Sequence, residues 1–207
     1  MRLKLLAAAT ALLPLVFAQA KEHSAPAELE PASAAAVIRE LNLARQNPSL
    51  YANFVAESRP SFTIERGRSV DEAVRFLKKT QPLPPLNMSP GMSRAAADHC
   101  ADQIGGQLGH QGSDRSHAGE RINRYGSWST TWGENISYSR KTAREVVVAL
   151  IIDDGVRSRG HRKNIFNPKF SCAGAAFGPH ARYRTVCTID FAGGYAERGE
   201  RLIAKNP

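Results

Sequence analysis

The sequence has few cysteines, few aromatic residues and fewer acids than bases. Its 207 residues include three cysteines, too few for a disulfide-dense small scaffold or a four-thiolate zinc site. Hydrophobic residues make up 42% and charged residues 23%, a balance typical of a globular protein and not of a disordered chain. No apolar run after the first twenty residues is long enough to span a membrane.

Positive charge exceeds negative charge, with 28 Lys and Arg against 19 Asp and Glu. No nucleic-acid-binding module accompanies this excess, so we expect no nucleic-acid partner. A basic cluster formed by Arg157, Arg159, Arg162 and Lys163 is interpreted as a solvated rim that could attract membrane or cell-wall anions.

The N-terminus has the pattern of a signal peptide over residues 1–20. Arg2 and Lys4 precede an apolar core from Leu5 to Phe17, and Ala18-Gln19-Ala20 fits a small-x-small cleavage site. Removal of this segment lowers the net charge from +9 to +7. We therefore expect a secreted or periplasmic protein, without a transmembrane segment after cleavage, that begins with a flexible lead over residues 21–33.

Helical patterns come first along the chain and strand patterns come late, which predicts an α+β domain over residues 34–195 and a charged tail over 196–207. A capping-box spacing at Ser69 and Glu72 predicts the start of one helix. Helices are predicted over residues 34–46, 50–55, 69–79, 89–104, 121–125 and 143–153, and strands over 171–177 and 184–191.

The two late strands flank Gly178-Pro179-His180, which is interpreted as a hairpin turn. A hairpin centred there places Cys172 opposite Cys187, so a cross-strand disulfide is predicted between them. Cys100 lies in an Ala-rich helical pattern and is interpreted as a buried free thiol.

Four segments in the second half of the sequence are rich in polar residues. They contain His110, Glu134, Asp153 with Asp154, and His161. Histidines and carboxylates can bind a divalent metal or share protons. The sequence contains neither a His-Glu-x-x-His motif nor a Gly-x-Ser-x-Gly nucleophile elbow. The alternative is structural, in which Glu134 and Asn135 hydrogen-bond backbone turns and His161 packs its own loop.

Five motifs in order resemble the CAP superfamily, the SCP-like extracellular domain of cysteine-rich secretory proteins, plant pathogenesis-related proteins and insect venom allergens. The resemblance covers about residues 34–195. The motifs are Leu41–Pro48 with Tyr51, Leu108-Gly109-His110 with Ser113-Asp114, Gly133-Glu134-Asn135-Ile136, Gly160–Pro168, and Cys187–Phe191.

This resemblance implies a three-layer αβα sandwich with a mostly antiparallel central sheet and a cleft containing two histidines and two acids. His110, Glu134 and His161 match three of these positions. The family has a glutamate at the fourth, where this sequence offers Asp153 or Asp154. Two residues near the first histidine, His117 and Glu120, are weaker candidates.

The function expected from this set is binding of a small amphipathic or lipid-like ligand, or of zinc or another divalent cation, and catalysis is not favoured. His110 and His161 would be the metal ligands, with Glu134 or Asp153. One alternative is a peptidase-like, metal-assisted hydrolase in which His110, Glu134 and His161 are the catalytic candidates. Another is a basic protein that binds surface polymers.

Overall fold

A computed structural model describes residues 32–199, so the predicted signal peptide, most of the predicted lead and the end of the tail lie outside the described residues. The described chain forms seven α-helices and six β-strands. The helices are α1 Ala34–Gln46, α2 Pro48–Glu57, α3 Arg68–Lys79, α4 Pro90–Asp102, α5 Ala118–Tyr125, α6 Ala143–Ile152 and α7 Gly160–Ile165. The strands are β1 Asn87–Met88, β2 Gly126–Trp128, β3 Trp132–Tyr138, β4 Cys172–His180, β5 Arg184–Ala192 and β6 Tyr195–Glu197.

The central sheet has four strands in the order β1-β4-β5-β3. Only its two-residue strand β1 is parallel to its neighbour, and the other pairings are antiparallel. Strands β2 and β6 form a separate antiparallel pair. The predicted α+β class and mostly antiparallel sheet are therefore confirmed.

Side chains that alternate along β4 and β5 divide the interior into two layers. Ala173, Ala175, Ile189 and Phe191 face a large core formed with α1, α2, α3 and α6. The intervening residues face α4 and α5. Helices thus cover both faces of the sheet, as expected for the three-layer sandwich.

Close packing of α4 on β4 depends on Gly174. A Cβ atom at this position would lie 2.2 Å from the backbone nitrogen of Ser93 and 2.3 Å from the carbonyl carbon of Met92. The helix backbone could not approach the strand this closely over any larger residue.

Arg45 is buried in the large core and connects three distant parts of the chain. Its guanidinium donates to the carbonyl oxygens of Pro84, Ile165, Asn167 and Phe170 at 2.7–3.3 Å. These bonds satisfy carbonyl groups of irregular segments that would otherwise be buried without a donor.

The predicted disulfide is wrong, because the hairpin turn lies later in the chain than Gly178-Pro179-His180. Strand β4 continues through that tripeptide, and residues 181–183 form the turn. Cys172 consequently pairs with Ala192, and Cys187 pairs with Phe177. The five-residue offset places the two thiols on opposite faces of the sheet, and both are free.

Two other local features differ from the sequence prediction. The predicted capping box of α3 does not form, because the helix begins after Gly67 and the Ser69 hydroxyl donates to Asp154. At the other end of the domain, Glu197 belongs to β6 and accepts hydrogen bonds from Ser89 and from the backbone of Gly91 at the start of α4. Ordered structure thus extends into residues assigned to the charged tail.

We predict that thiol titration in denaturant without reductant will give three thiols per chain. In the native protein, Cys100, Cys172 and Cys187 should react slowly, because burial raises the pKa of each thiol and reduces its accessibility. A single thiol per chain under denaturing conditions would contradict the register of the β4–β5 hairpin.

Candidate functional site

The first predicted histidine, His110, pairs with the first predicted acid, Glu134. His110 Nδ1 lies 2.8 Å from Glu134 Oε1, and the histidine side chain is 56% exposed while that of the glutamate is 2% exposed. The other oxygen, Glu134 Oε2, accepts from Arg121 Nη2 at 2.6 Å. A buried ion pair therefore supports an exposed imidazole.

Three buried side chains, from α4, from the residue that follows it and from α5, fix the loop that carries His110. His99 Nε2 and Gln103 Nε2 each lie 2.9 Å from the carbonyl oxygen of Gly109, whose φ of +96° favours glycine. Burial lowers the pKa of His99, which favours the neutral ring. Arg121 donates to the carbonyl oxygen of His110 at 3.2 Å. The imidazole of His110 is thus held from the backbone as well as by Glu134.

Asp190 is a further buried acid in this network. It pairs with Glu134 across strands β5 and β3, and its side chain has no hydrogen-bond donor among the described residues. Burial raises the pKa of Asp190 well above its usual value of 3.8, and the negative charge of Glu134 raises it further, although Arg121 acts in the opposite direction. Burial and the neighbouring charge of Glu134 thus both favour the protonated form of Asp190.

The second predicted histidine pairs with Asp153. His161 Nδ1 lies 2.6 Å from Asp153 Oδ1, and the backbone nitrogen of His161 donates to Asp153 Oδ2 at 3.0 Å. Asp153 ends α6 with a left-handed φ of +57°, a conformation that aspartate tolerates better than most residues. Both oxygens of one carboxylate thus orient the first turn of α7.

Asn135 holds α7 against the sheet from the face of β3 opposite to Glu134. Its Nδ2 donates to the carbonyl oxygen of His161 at 3.0 Å, and its Oδ1 accepts from Asn164 Nδ2 at 2.9 Å. The structural role considered for Asn135 in the sequence is therefore present.

The basic cluster near His161 is only in part a solvated rim, since Arg157 and Lys163 are exposed but Arg159 and Arg162 are not. Arg159 bonds to Glu65 and Glu72 and donates to the carbonyl oxygen of Asp153. Arg162 is buried, bonds to Glu72 and donates to two carbonyl oxygens at the end of α6. The guanidinium groups of these two residues are used inside the protein, where they fix the loop between α6 and α7.

The remaining candidates have structural contacts. Asp154 accepts from the backbone nitrogens of Ile64 and Glu65 and from the Ser69 hydroxyl. His117 and Glu120 form a capping box at the start of α5. Asp153, rather than Asp154, is thus the acid bound to His161.

A groove of about 440 Å³ runs beside the end of β3. We call it the β3 groove. Its apolar lining is supplied by Phe62, Ile64, Ile136, Ala149, Leu150 and Val156, and His161 and Asp153 form part of its wall. Its volume is within the range of small-molecule sites, and its mixture of apolar walls with a few polar groups is typical of them.

The four predicted ligands form two pairs, His110 with Glu134 and His161 with Asp153. No group of three or more His, Cys, Asp or Glu side chains within residues 32–199 is spaced to hold a metal ion. Each histidine already uses Nδ1 for its carboxylate, which leaves Nε2 for a ligand. Each pair therefore falls short of the three protein ligands that catalytic zinc sites use. What each pair can do is orient an imidazole and accept or donate a hydrogen bond.

The sequence analysis did not identify several residues that lie near the two histidine–acid pairs. His99, Arg121 and Asp190 are buried polar groups that act through long-range contacts. Nothing in their local spacing signals these contacts. Asp190 alone had a sequence signal, since it stands in the otherwise uncharged run Cys187–Phe191 of a predicted core strand.

Comparison with known proteins gives a match to a family model described as "CAP: Cysteine-rich secretory protein family" over residues 38–191. The uncharacterized protein YkwD of Bacillus subtilis (strain 168) is 30% identical over 155 residues, which cover 72% of this chain and 58% of that protein. The chain therefore matches little more than half the length of this relative.

Solved structures show weaker similarity. An extracellular protein containing a SCP domain from Bacillus anthracis has 21% identity and a TM-score of 0.43, covering 54% of this chain and 35% of that chain. An outer surface protein from Borrelia burgdorferi has 14% identity and a TM-score of 0.44, covering 72% of this chain and 93% of that chain.

None of the helices in the described range is both long enough and apolar enough to cross a membrane.

We predict that Asp190→Asn will make stability less dependent on pH. Because the pKa of Asp190 is raised in the folded state, the folded protein keeps a proton that the unfolded chain releases above about pH 4. The parent's free energy of unfolding should therefore fall relative to that of the variant as pH rises, by up to about 1.4 kcal/mol per pH unit.

Urea unfolding of both proteins between about pH 4 and about pH 7 measures this difference. Glu57→Gln, at an exposed position on α2, is the control and should follow the parent. A difference between Asp190→Asn and the parent that stays constant over this range would show that Asp190 does not carry the extra proton.

Proposed function

Because the chain belongs to the CAP family of cysteine-rich secretory proteins, we propose that it is an exported binding protein whose β3 groove takes a small amphipathic ligand. The observation that carries this proposal is the groove itself. Six aliphatic or phenylalanine side chains line it, and the hydrogen-bonded His161–Asp153 pair supplies polar groups in its wall.

The exposed hydrophobic residues of the groove support binding. Ile64 is 74% exposed and Val156 is 36% exposed, and both line the same groove. Neighbouring exposed apolar side chains at a concave site mark ligand-binding surfaces more often than isolated ones do. A ligand chain seated between them would remove both side chains from water.

Ion pairs and hydrogen bonds hold the segment around Ile64, which lines the groove, against the end of α6. Arg159 ties Glu65 and Glu72 to the end of α6, and Asp154 accepts from the backbone at Ile64 and Glu65. The groove wall is therefore fixed before a ligand arrives, which lowers the entropic cost of binding.

Export is proposed from the signal-peptide pattern over residues 1–20 and from the family's description as secretory. The membrane and cell-wall anions considered as partners would then be accessible to the protein. However, Arg159 and Arg162 are engaged internally, so two of the four bases of the proposed polymer-binding cluster have no free guanidinium.

Metal-assisted hydrolysis is the less supported alternative. His110 with Glu134 and His161 with Asp153 are two-residue sets held from different faces of β3. A hydrolytic centre would need a rearrangement that brings a third ligand to one of them. A binding role for the His161–Asp153 pair needs no such change.

We predict that the double variant Ile64→Ser with Val156→Ser will bind dodecan-1-ol about fivefold to tenfold more weakly than the parent. The reason is the loss of apolar contact area within the groove, at about 25 cal/mol per Å². Calorimetric titration with dodecan-1-ol below its solubility limit measures the affinity.

Leu50→Ser with Leu108→Ser is the matched control, because these leucines are 51% and 48% exposed, between the values for Val156 and Ile64, and lie outside the groove. This control should bind like the parent. The proposal fails if the parent shows no saturable binding, or if the two double variants are weakened equally.

A further inference from the structure

A depression of about 220 Å³ lies between the loop before α6 and the β4–β5 turn. Its lining includes three bases, which are Lys141 from the loop, Arg182 from the turn and Arg184 from the start of β5. We call this depression with its three bases the basic turn. Its volume is below the range of about 300–1,000 Å³ that is usual for drug-sized ligands. The basic turn therefore has room for a small charged group and not for a whole organic ligand.

The three bases have no acidic partners. Lys141, Arg182 and Arg184 are exposed, and none of them forms an ion pair with a carboxylate in the part of the chain that the structure describes. The carboxylate of Glu145 accepts from the backbone nitrogen of Lys141, but it is used in the cap of α6. No acid is among the residues that line the depression. Its positive charge is thus available to an anion.

Hydrogen bonds join the two walls of the depression. The backbone nitrogen of Ser139 donates to the carbonyl oxygen of Thr185 at 3.1 Å. The Thr185 hydroxyl in turn donates to the carbonyl oxygen of Arg140 at 2.7 Å. These bonds lie next in the chain to Lys141 on one wall and to Arg184 on the other. The backbones that carry these two bases are therefore held at a fixed separation.

A buried histidine fixes the backbone of the turn itself. His180 is 2% exposed, and its Nδ1 accepts from the backbone nitrogens of Arg182 at 3.2 Å and Tyr183 at 3.0 Å. Its Nε2 lies 3.0 Å from the carbonyl oxygen of Gln107. A ring with its proton on Nε2 satisfies all three contacts. The turn is thus in place before an anion arrives, which lowers the entropic cost of binding.

The arrangement of the bases favours a phosphate group over a carboxylate. A carboxylate has two oxygens in one plane, and a single guanidinium can bind both of them. A phosphate group has four oxygens arranged as a tetrahedron, so donors can approach it from several sides. Arginine and lysine are both common phosphate ligands. Three bases that come from two segments and surround one depression therefore match a phosphate group.

The aromatic residue of the turn offers little surface to a nucleic-acid base. The ring centre of Tyr183 lies 5.4 Å from that of Tyr138 and 5.3 Å from that of His180. The guanidinium carbon of Arg182 lies 5.2 Å from the same ring centre. Proteins that bind single-stranded nucleic acids stack bases on open aromatic faces. Because the Tyr183 ring already contacts three side chains, the basic turn supplies charge without such a platform.

From these features we infer that the basic turn binds the phosphate groups of a polymer in which small polyols are joined by phosphodiester bonds. One phosphate lies in the depression between Lys141, Arg182 and Arg184, and the polyols on either side of it extend into solvent. Polymers of this kind occur on cell surfaces, where the proposed export would place the protein. The inference does not depend on what the β3 groove binds, although Ser139 and Tyr183 line both depressions.

Charge should supply most of the affinity, since all three bases are exposed. An exposed ion pair contributes up to about fivefold to an affinity. Loss of one base should therefore weaken binding by up to about fivefold, and loss of two bases by about tenfold. Added salt should weaken binding, because exposed ion pairs are screened.

The experiment is calorimetric titration of the full chain with poly(glycerol phosphate), poly-L-glutamate and single-stranded polydeoxythymidylate. Poly-L-glutamate carries its charges closer together than poly(glycerol phosphate), so a surface that recognises charge alone would bind it at least as tightly. Polydeoxythymidylate has the same phosphodiester group with bases attached. We expect poly(glycerol phosphate) to bind at least about fivefold more tightly than either of the other polymers.

Arg184→Gly removes one base without changing the backbone, because Arg184 has a left-handed φ of +68° that glycine adopts readily. Arg66→Gly is the matched control, since Arg66 is also exposed, has a φ of +53° and lies outside the depression. Arg184→Gly should bind poly(glycerol phosphate) up to about fivefold more weakly, and Arg66→Gly should bind it like the parent. Both variants should keep the parent's thermal unfolding midpoint, which separates lost binding from lost folding.

A double variant tests the other two bases. Lys141→Gln with Arg182→Gln should weaken the binding of poly(glycerol phosphate) by about tenfold. Its control, Arg75→Gln with Lys79→Gln, removes the same charge from exposed positions on α3 and should bind like the parent.

Inorganic phosphate locates the site. In isotope-labelled protein, the amide chemical shifts that change on titration with phosphate should be largest at Lys141, Arg182 and Arg184. Changes spread evenly over the exposed bases of the protein would contradict a site at the basic turn.

Four further results overturn the inference. Equal weakening in Arg184→Gly and Arg66→Gly, or binding of poly-L-glutamate as tightly as poly(glycerol phosphate), would show that diffuse charge is recognised. Binding of polydeoxythymidylate as tightly as poly(glycerol phosphate) would assign the surface to nucleic acid. Tighter binding per phosphate to vesicles of phosphatidylglycerol than to the soluble polymer would assign it to a membrane. None of these results bears on the β3 groove, which is tested separately with dodecan-1-ol.

Discussion

The pairing of edge strand β3 with β5 is the constraint on which the rest of the site depends. Because side chains alternate along a strand, neighbouring residues of β3 serve different layers. Glu134 bonds to Arg121 of α5 and to His110, whereas Asn135 bonds to α7 beside His161. The strand's last residues then form one side of the β3 groove. A shift of register by one residue would exchange these two roles and remove both histidines from their partners.

The two histidine–acid pairs are similar in chemistry. Each consists of a buried carboxylate that holds Nδ1 of a more exposed imidazole. Each acid is itself fixed, Glu134 by Arg121 and Asp153 by its position at the end of α6. These supports make the loops around His110 and His161 rigid. Rigid loops at the edge of a sheet can define a groove without taking part in chemistry.

Much of the helical framework could be predicted from local sequence. The bounds of α1, the start of α4 after Ser89 and the capping box of α6 agree with the structure, since apolar spacing and caps act over a few residues. Strand β3 was not predicted, because Gly133-Glu134-Asn135 lacks the apolar alternation of a typical strand. The disulfide was wrong because Gly178-Pro179 has the composition of a turn, yet β4 continues through it to pair with β5.

Only part of the site could be predicted, because its long-range contacts leave no local signal in the sequence. The family resemblance indicated His110, Glu134 and His161, and the structure shows what binds each of them. It could not indicate Asp190 or Arg121, whose neighbours in the fold are far away in sequence and depend on register and loop packing. The sequence also could not show which basic side chains are exposed and which are engaged inside the protein. Arg159 and Arg162 seemed available in the sequence but are used internally, whereas Arg182 and Arg184, on either side of Tyr183 at the β4–β5 turn, are exposed.

The most direct test of the central claim, that the β3 groove holds an alkyl chain, is to measure intermolecular nuclear Overhauser effects between dodecanoate and methyl-labelled protein. We expect contacts from the alkyl chain to the methyl groups of Ile64, Ile136, Leu150 and Val156, which line the groove. Contacts confined to Ala97 and Ala175, which line a separate depression between α4 and β4, or no contacts at saturating probe, would contradict it.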